Sequence, residues 1–127
     1  MAHDILKHYK EIPFDEFLFK MLSIGKPLET SLVGAFDDTG RGSRRDIDLP
    51  LHRDGDYSTA FKDKIDYVGL YCFRGGDAET IIKFEDKVKK INLKPREAII
   101  FNNKLCRHGR EGAVGDRVLL RIWISSS

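Results

Sequence analysis

At 127 residues the chain has room for one domain with a closed core and too little for two. Apolar residues make up 41% and charged residues 33%, a balance that excludes disorder. The 22 Lys and Arg against 20 Asp and Glu leave a net charge of +2, which indicates neither nucleic acid nor an acidic surface as a partner. With no run of about 18 apolar residues and no charged-then-apolar leader, neither membrane insertion nor secretion is expected. The default address is the cytoplasm, where Cys72 and Cys106 are expected as reduced, buried thiols rather than a disulfide.

In chain order, Pro13 stands where a helix can begin, and Phe14, Phe17, Leu18 and Met21 then recur at helical spacing. This predicts a short packing helix, closed by Gly25 and Pro27. From Asp37 to Asp46 the chain is charged and aperiodic, a loop whose Arg41, Arg44 and Arg45 are either solvated or reach an anionic substrate. Short apolar runs follow at Tyr67 to Phe73, Thr80 to Phe84, Ala98 to Phe101 and Arg117 to Ile124. Gly75-Gly76-Asp77 and Lys94-Pro95-Arg96 between them read as the turns of antiparallel hairpins. No long helix is expected after residue 30, so the chain reads as a mainly β sandwich or small barrel behind an N-terminal helix. Ser125 to Ser127 read as a frayed tail.

His52-Arg53-Asp54 puts an imidazole and a carboxylate two residues apart, on one side of an extended segment, where both can hold one ion. A third, neutral imidazole would complete two His and one carboxylate on one face of an octahedron, with three positions open for other ligands. His108 is the candidate, because His3 and His8 fall before the expected start of the fold. His-x-Asp alone is a weak signal, more often a surface or structural pair than a metal site. The kinase reading of His-Arg-Asp fails, since no Gly-rich nucleotide loop and no Asp-Phe-Gly accompany it.

After Cys106-Arg107-His108-Gly109-Arg110, the last run alternates cleanly. Val118, Leu120, Ile122 and Ile124 make one apolar face; Arg117, Leu119, Arg121 and Trp123 make the other. If the second face lines an interior, its arginines need an anion, and a dicarboxylate would meet a guanidinium through two parallel charge-assisted hydrogen bonds. If it is the solvent side of a two-sided sheet, the arginines are simply hydrated and Trp123 is partly exposed.

The order His-x-Asp, Gly-Gly followed closely by Thr, His-Gly-Arg, then Asp-Arg with a second Arg four residues on resembles the taurine dioxygenase and clavaminate synthase superfamily, from about His52 to Ile124. The resemblance implies a double-stranded β-helix, the cupin-like jelly-roll, with residues 1–127 as one minimal oxygenase domain. It also implies Fe(II) held by His52, Asp54 and His108, and 2-oxoglutarate as co-substrate, its far carboxylate held by Arg117 with help from Thr80. Arg121 matches an arginine that in some members meets the substrate. Family members are usually longer, with insertions that form a substrate lid, and the stretch from His108 to Arg117 is shorter than in close relatives; Arg121 is therefore the alternative clamp.

The implied reaction couples O2 and 2-oxoglutarate to oxidation, expected as hydroxylation, of an unidentified substrate, with succinate and CO2 as co-products. An anionic or amino-acid-like substrate suits the arginines, and a homodimer would shelter an otherwise open site. Two rival classes stay open at the level of sequence: a cupin-like metalloenzyme without 2-oxoglutarate, in which Arg117 is structural, and a non-catalytic β-sandwich binding module.

Overall fold

The computed structural model describes residues 5–34, 49–55, 60–112 and 117–126. The charged segment with Arg41, Arg44 and Arg45, and His3, lie outside them. Among the described residues there are nine strands and one helix: β1 (Leu6–Tyr9), α1 (Phe14–Ile24), β2 (Lys26–Gly34), β3 (Leu49–His52), β4 (Tyr67–Arg74), β5 (Glu79–Phe84), β6 (Lys87–Ile91), β7 (Ala98–Asn102), β8 (Arg107–Glu111) and β9 (Val118–Ser125). The helix is not long and apolar enough to cross a membrane.

The pairing is nested: β2 with β9, β3 with β8, β4 with β7 and β5 with β6, all antiparallel. Such a set is one long hairpin, and further pairing of β4 with β9 and of β5 with β8 winds it over on itself. The result is two facing sheets, in the orders β1-β7-β4-β9-β2 and β3-β8-β5-β6, which is a jelly-roll. The expected antiparallel β architecture with an N-terminal helix is therefore present. The expected hairpin across Gly75-Gly76-Asp77 is not: β4 and β5 lie in different sheets, so this turn carries the chain from one layer to the other. In a wound hairpin only its innermost turn, Glu85-Asp86 between β5 and β6, joins strands that pair with each other.

Both faces of the larger sheet are covered. Inside, Val68, Leu70, Cys72, Ile99, Phe101, Leu119 and Trp123 meet Ile82, Leu93 and Cys106. Outside, Phe17 and Met21 of α1 lie on Tyr67, Tyr71, Ile100, Leu120, Ile122 and Ile124. The helix comes close because β4 offers Gly69 beneath it; a Cβ there would stand 2.5 Å from Met21 Sδ. Within the expected stripe Phe17 and Met21 are buried, while Phe14 lies at the margin against Tyr71 and Phe73.

Two expectations about the ends are corrected. His8 does not precede the fold: β1 pairs with β7, and His8 Nε2 lies 2.8 Å from Glu97 Oε1. Nor is the tail frayed as far as Ser126, whose N–H and hydroxyl both donate to Asp66 Oδ2, at 2.8 and 3.1 Å. The carboxylate of Asp66, itself paired with Lys104, anchors that end. Cys72 and Cys106 are free and buried, and burial pushes each thiol up to about 11.

Candidate metal centre and anion pocket

β3 and β8 are short, but they set His52 and His108 directly opposite each other as cross-strand partners, with ring centroids 4.4 Å apart. Asp54 follows β3 by two residues and turns back beneath both rings. His52 Nε2 and His108 Nε2 each lie 3.3 Å from the same Asp54 oxygen, Oδ1. The three potential ligand atoms fall within 4.8 Å of one another. Ligand atoms about 2.1 Å from an ion and at right angles to each other are about 3 Å apart, so this donor set fits a metal that takes two imidazoles and a carboxylate.

The turn that carries Asp54 is fixed by Asn103, just after β7. Its side-chain oxygen accepts the Asp54 N–H at 3.1 Å, and its amide donates to the carbonyls of Asp54 and Ile65 at 3.0 and 3.2 Å. The carboxylate is oriented from the other side by Trp123, whose indole N–H donates to Oδ2 at 2.7 Å. Arg121 Nη1 stands 3.9 Å from that same oxygen, with its guanidinium 4.6 Å from the Trp123 ring centroid. Oδ2 is thus occupied by protein donors, and Oδ1 is left to the histidines. Burial opposes ionisation of Asp54, but His108, His52 and Arg121 outweigh it and hold the carboxyl well below the usual carboxylate range. Phe101 packs on His108 at 5.0 Å and Phe61 meets Trp123 edge-on at 5.5 Å, so apolar rings wall the centre. His108 Nδ1 is buried with no hydrogen-bond partner among the described residues, so packing between Phe101 and His52 orients that ring.

The alternating face of β9 points inward. Arg117, immediately before the strand, is 5% exposed, and its Nη1 donates to Thr80 Oγ1 at 3.2 Å. Burial, reinforced by the charge of Arg110, pushes the Arg117 guanidinium down to about 10, and its Nε has no partner among the described residues. Trp123 is 8% exposed. The solvent-facing reading of this face is therefore overturned: it lines the space between the sheets.

Solved structures similar to the chain include a prolyl hydroxylase from Trichoplax adhaerens in complex with a hypoxia inducible factor oxygen degradation domain peptide fragment. It matches with a TM-score of 0.58 at 16% identity, over 81% of this chain and 46% of that one. An oxidoreductase of the 2OG-Fe(II) oxygenase family from Burkholderia pseudomallei matches with a TM-score of 0.52 at 11% identity, over 77% of this chain and 41% of that one. The chain shares the jelly-roll fold of these two structures. The chain spans less than half the length of either structure. No family model and no curated protein sequence matches it.

On this jelly-roll, the structure brings together His52, Asp54 and His108 at one place and Thr80 with Arg117 at another, while Arg121 stands beside Asp54. Sequence reasoning missed Asn103 and the role of Trp123 as a donor. Asn103 sits in a turn, and nothing local marks which distant backbone it ties. Trp123 did carry a signal, since alternation puts it on the same face as Arg117 and Arg121, where a buried indole N–H needs an acceptor.

Proposed function

We propose that the chain is the core of an Fe(II)- and 2-oxoglutarate-dependent dioxygenase. The observation that carries this reading is the pair of sites on one oxygenase-type jelly-roll: a converging His52, Asp54 and His108 set, and a buried Arg117 bonded to Thr80. His52 and His108 would hold Fe(II) through Nε2 and Asp54 through Oδ1, which leaves three positions open. Fe(II) and 2-oxoglutarate together supply the oxidising chemistry, with O2 as oxidant and succinate and CO2 as co-products.

The chain's own residues do the rest. Trp123 and Arg121 restrain Asp54 so that a single oxygen faces the metal position, which fixes the open face. Arg117 and Thr80 anchor the far carboxylate of the co-substrate by charge-assisted hydrogen bonds. The assignment of the clamp to Arg117 rather than Arg121 is supported by spacing. Four residues of strand put the two arginines about 13 Å apart along β9, and Arg121 lies level with Asp54, where a metal-chelating end belongs. Arg121, partly exposed at 23%, is then suited to an anionic or amino-acid-like group on the substrate. Phe61 and Phe101 keep stray water from the centre. A cytoplasmic address suits the two free thiols, and a homodimer that shelters the site is part of the same proposal.

The test is Fe(II)-dependent formation of succinate from 2-oxoglutarate by the purified chain under air. Turnover is expected above background and absent in His108→Ala. Iron binding without succinate formation or 2-oxoglutarate binding would shift the assignment to a cupin-like metalloenzyme.

A further inference from the structure

Helix α1 is apolar over more of its circumference than the sheet beneath it covers. Phe17 and Met21 are buried against that sheet. Phe19 follows Phe17 by two residues, which is about 200° round a helix, so it points away from the sheet. It is 74% exposed, and Leu22, one turn further on, is 56% exposed. These are the two most exposed large apolar side chains among the described residues, and they are neighbours on one stripe. A single apolar side chain on a surface needs no account, but an adjacent pair on the outer side of a helix marks a contact.

The stripe has charged ends. Asp15 stands four residues before Phe19 and Lys26 four residues after Leu22, and both are exposed. Asp15 lies in the first turn of α1, and Lys26 opens β2 directly past the helix. Neither has an ion-pair partner among the described residues. Each suits the dipole of its own helix, but that leaves the apolar pair between them without a role in a single copy. The order acid, phenylalanine, leucine, base is complementary to itself. Turned end for end, the stripe sets Phe19 on Leu22 and Asp15 beside Lys26.

We propose that this stripe of α1 binds the same stripe of a second copy of the chain, antiparallel about a two-fold axis. Phe19 of each copy packs on Leu22 of the other, and two ion pairs between Asp15 and Lys26 close the ends. A parallel alignment would set Asp15 against Asp15 and Lys26 against Lys26, so the charges select the antiparallel one. Opposed helix dipoles favour the same choice. Two aromatic–aliphatic pairs make a small interface, so the dimer is weak, with a dissociation constant on the order of 50 µM. None of these four residues belongs to the metal centre or the anion pocket, and the pairing does not rest on the oxygenase reading.

The experiment is sedimentation equilibrium of the metal-free chain, from about tenfold below to about tenfold above that constant. The unaltered chain is expected to pass from monomer to dimer across this range. Phe19→Asp, at a position exposed enough to leave the fold intact, is expected to stay monomeric throughout. Asp15→Lys and Lys26→Asp each turn attraction into repulsion at both ends and should each weaken the dimer by about tenfold. The double variant that carries both reversals should return to within about threefold of the unaltered affinity. Circular dichroism checks that every variant is folded; should Asp15→Lys fray the helix, Asp15→Asn replaces it, with a loss of about threefold expected. A monomer over the whole range overturns the proposal and leaves the stripe to a partner of another kind. A dimer that Phe19→Asp does not weaken puts the contact elsewhere and overturns it too. Single reversals without effect, or a double reversal that does not restore the dimer, overturn the antiparallel pairing.

Discussion

The two faces of β9 are both buried, and they do opposite things. Toward α1 the strand shows Leu120, Ile122 and Ile124, packed on Phe17 and Met21 with nothing polar among them. Toward the facing sheet, Leu119 is flanked by Trp123 and Arg121 at one end and by Arg117 at the other, each with a polar partner or a charge to meet. Burial alone does not separate a core from a site. The two differ in whether the buried atoms have hydrogen-bonding needs, and the inner face of β9 carries such needs at both ends of the strand.

Substitutions on the two faces should separate binding from stability. The largest effect is expected at the carboxylate that the inner face orients. Asp54→Ala should lower Fe(II) affinity by about a thousandfold or more, since loss of a ligand exceeds the 10–100-fold usual for an outer partner; anaerobic equilibrium binding measures it. On the outer face, Ile122→Ala should cost about 3 kcal/mol in urea denaturation of the metal-free protein, while Fe(II) affinity stays within about twofold. An equal loss of metal affinity there would erase the distinction between the faces.

Arg117→Met should show opposite signs in two assays. Binding of 2-oxoglutarate beside Fe(II) should weaken by about 30-fold, while the metal-free melting temperature should stay level or rise, because a guanidinium held down to about 10 by burial is a destabilised cation at neutral pH. A clear fall in melting temperature would make Arg117 a structural residue. Trp123→Phe keeps the ring and removes the 2.7 Å bond to Asp54; Fe(II) affinity should drop by about tenfold.

The smallest effect concerns the interior thiols. Each is raised from 9.0 in the unfolded chain to about 11, so the folded state prefers the neutral form more strongly than the unfolded one does. The stabilisation linked to this preference is full below pH 9 and is lost as pH rises from 9 toward 11. The stability of Cys72→Ala should fall less steeply across that interval than that of the unaltered chain.

How much of this was legible in the sequence depends on which strand is considered. β4, β5, β7 and β9 announce themselves as apolar runs because they build the shared interior, and α1 does so through its stripe. β1, β2, β3, β6 and β8 went unread for physical reasons. β6 is a Lys-rich edge strand with four exposed residues, and β2 is an edge strand that alternates only weakly. β3 has four residues and takes its register from β8. β8, Arg-His-Gly-Arg-Glu, has no apolar side chain at all, yet three of its five residues are buried, because the strand carries His108 into the polar cluster with His52 and Asp54 rather than into the apolar core. The convergence of His52, Asp54 and His108 was readable from His-x-Asp with a distal His, since the chemistry of the donors limits the choices. The groups that hold Asp54 in place, Asn103 and Trp123, come from turns and strands 49 and 69 residues away, and local pattern does not carry that distance.

The central claim, that one cavity joins a two-histidine, one-carboxylate metal centre to an arginine-anchored 2-oxoglutarate, is tested most directly by anaerobic titration of the metal-free chain with Fe(II) and 2-oxoglutarate. The readout is the weak visible charge-transfer band of the chelate. The account predicts a band that disappears in His108→Ala and needs far more 2-oxoglutarate in Arg117→Met. Iron binding without the band, or a band that persists in His108→Ala, would contradict it.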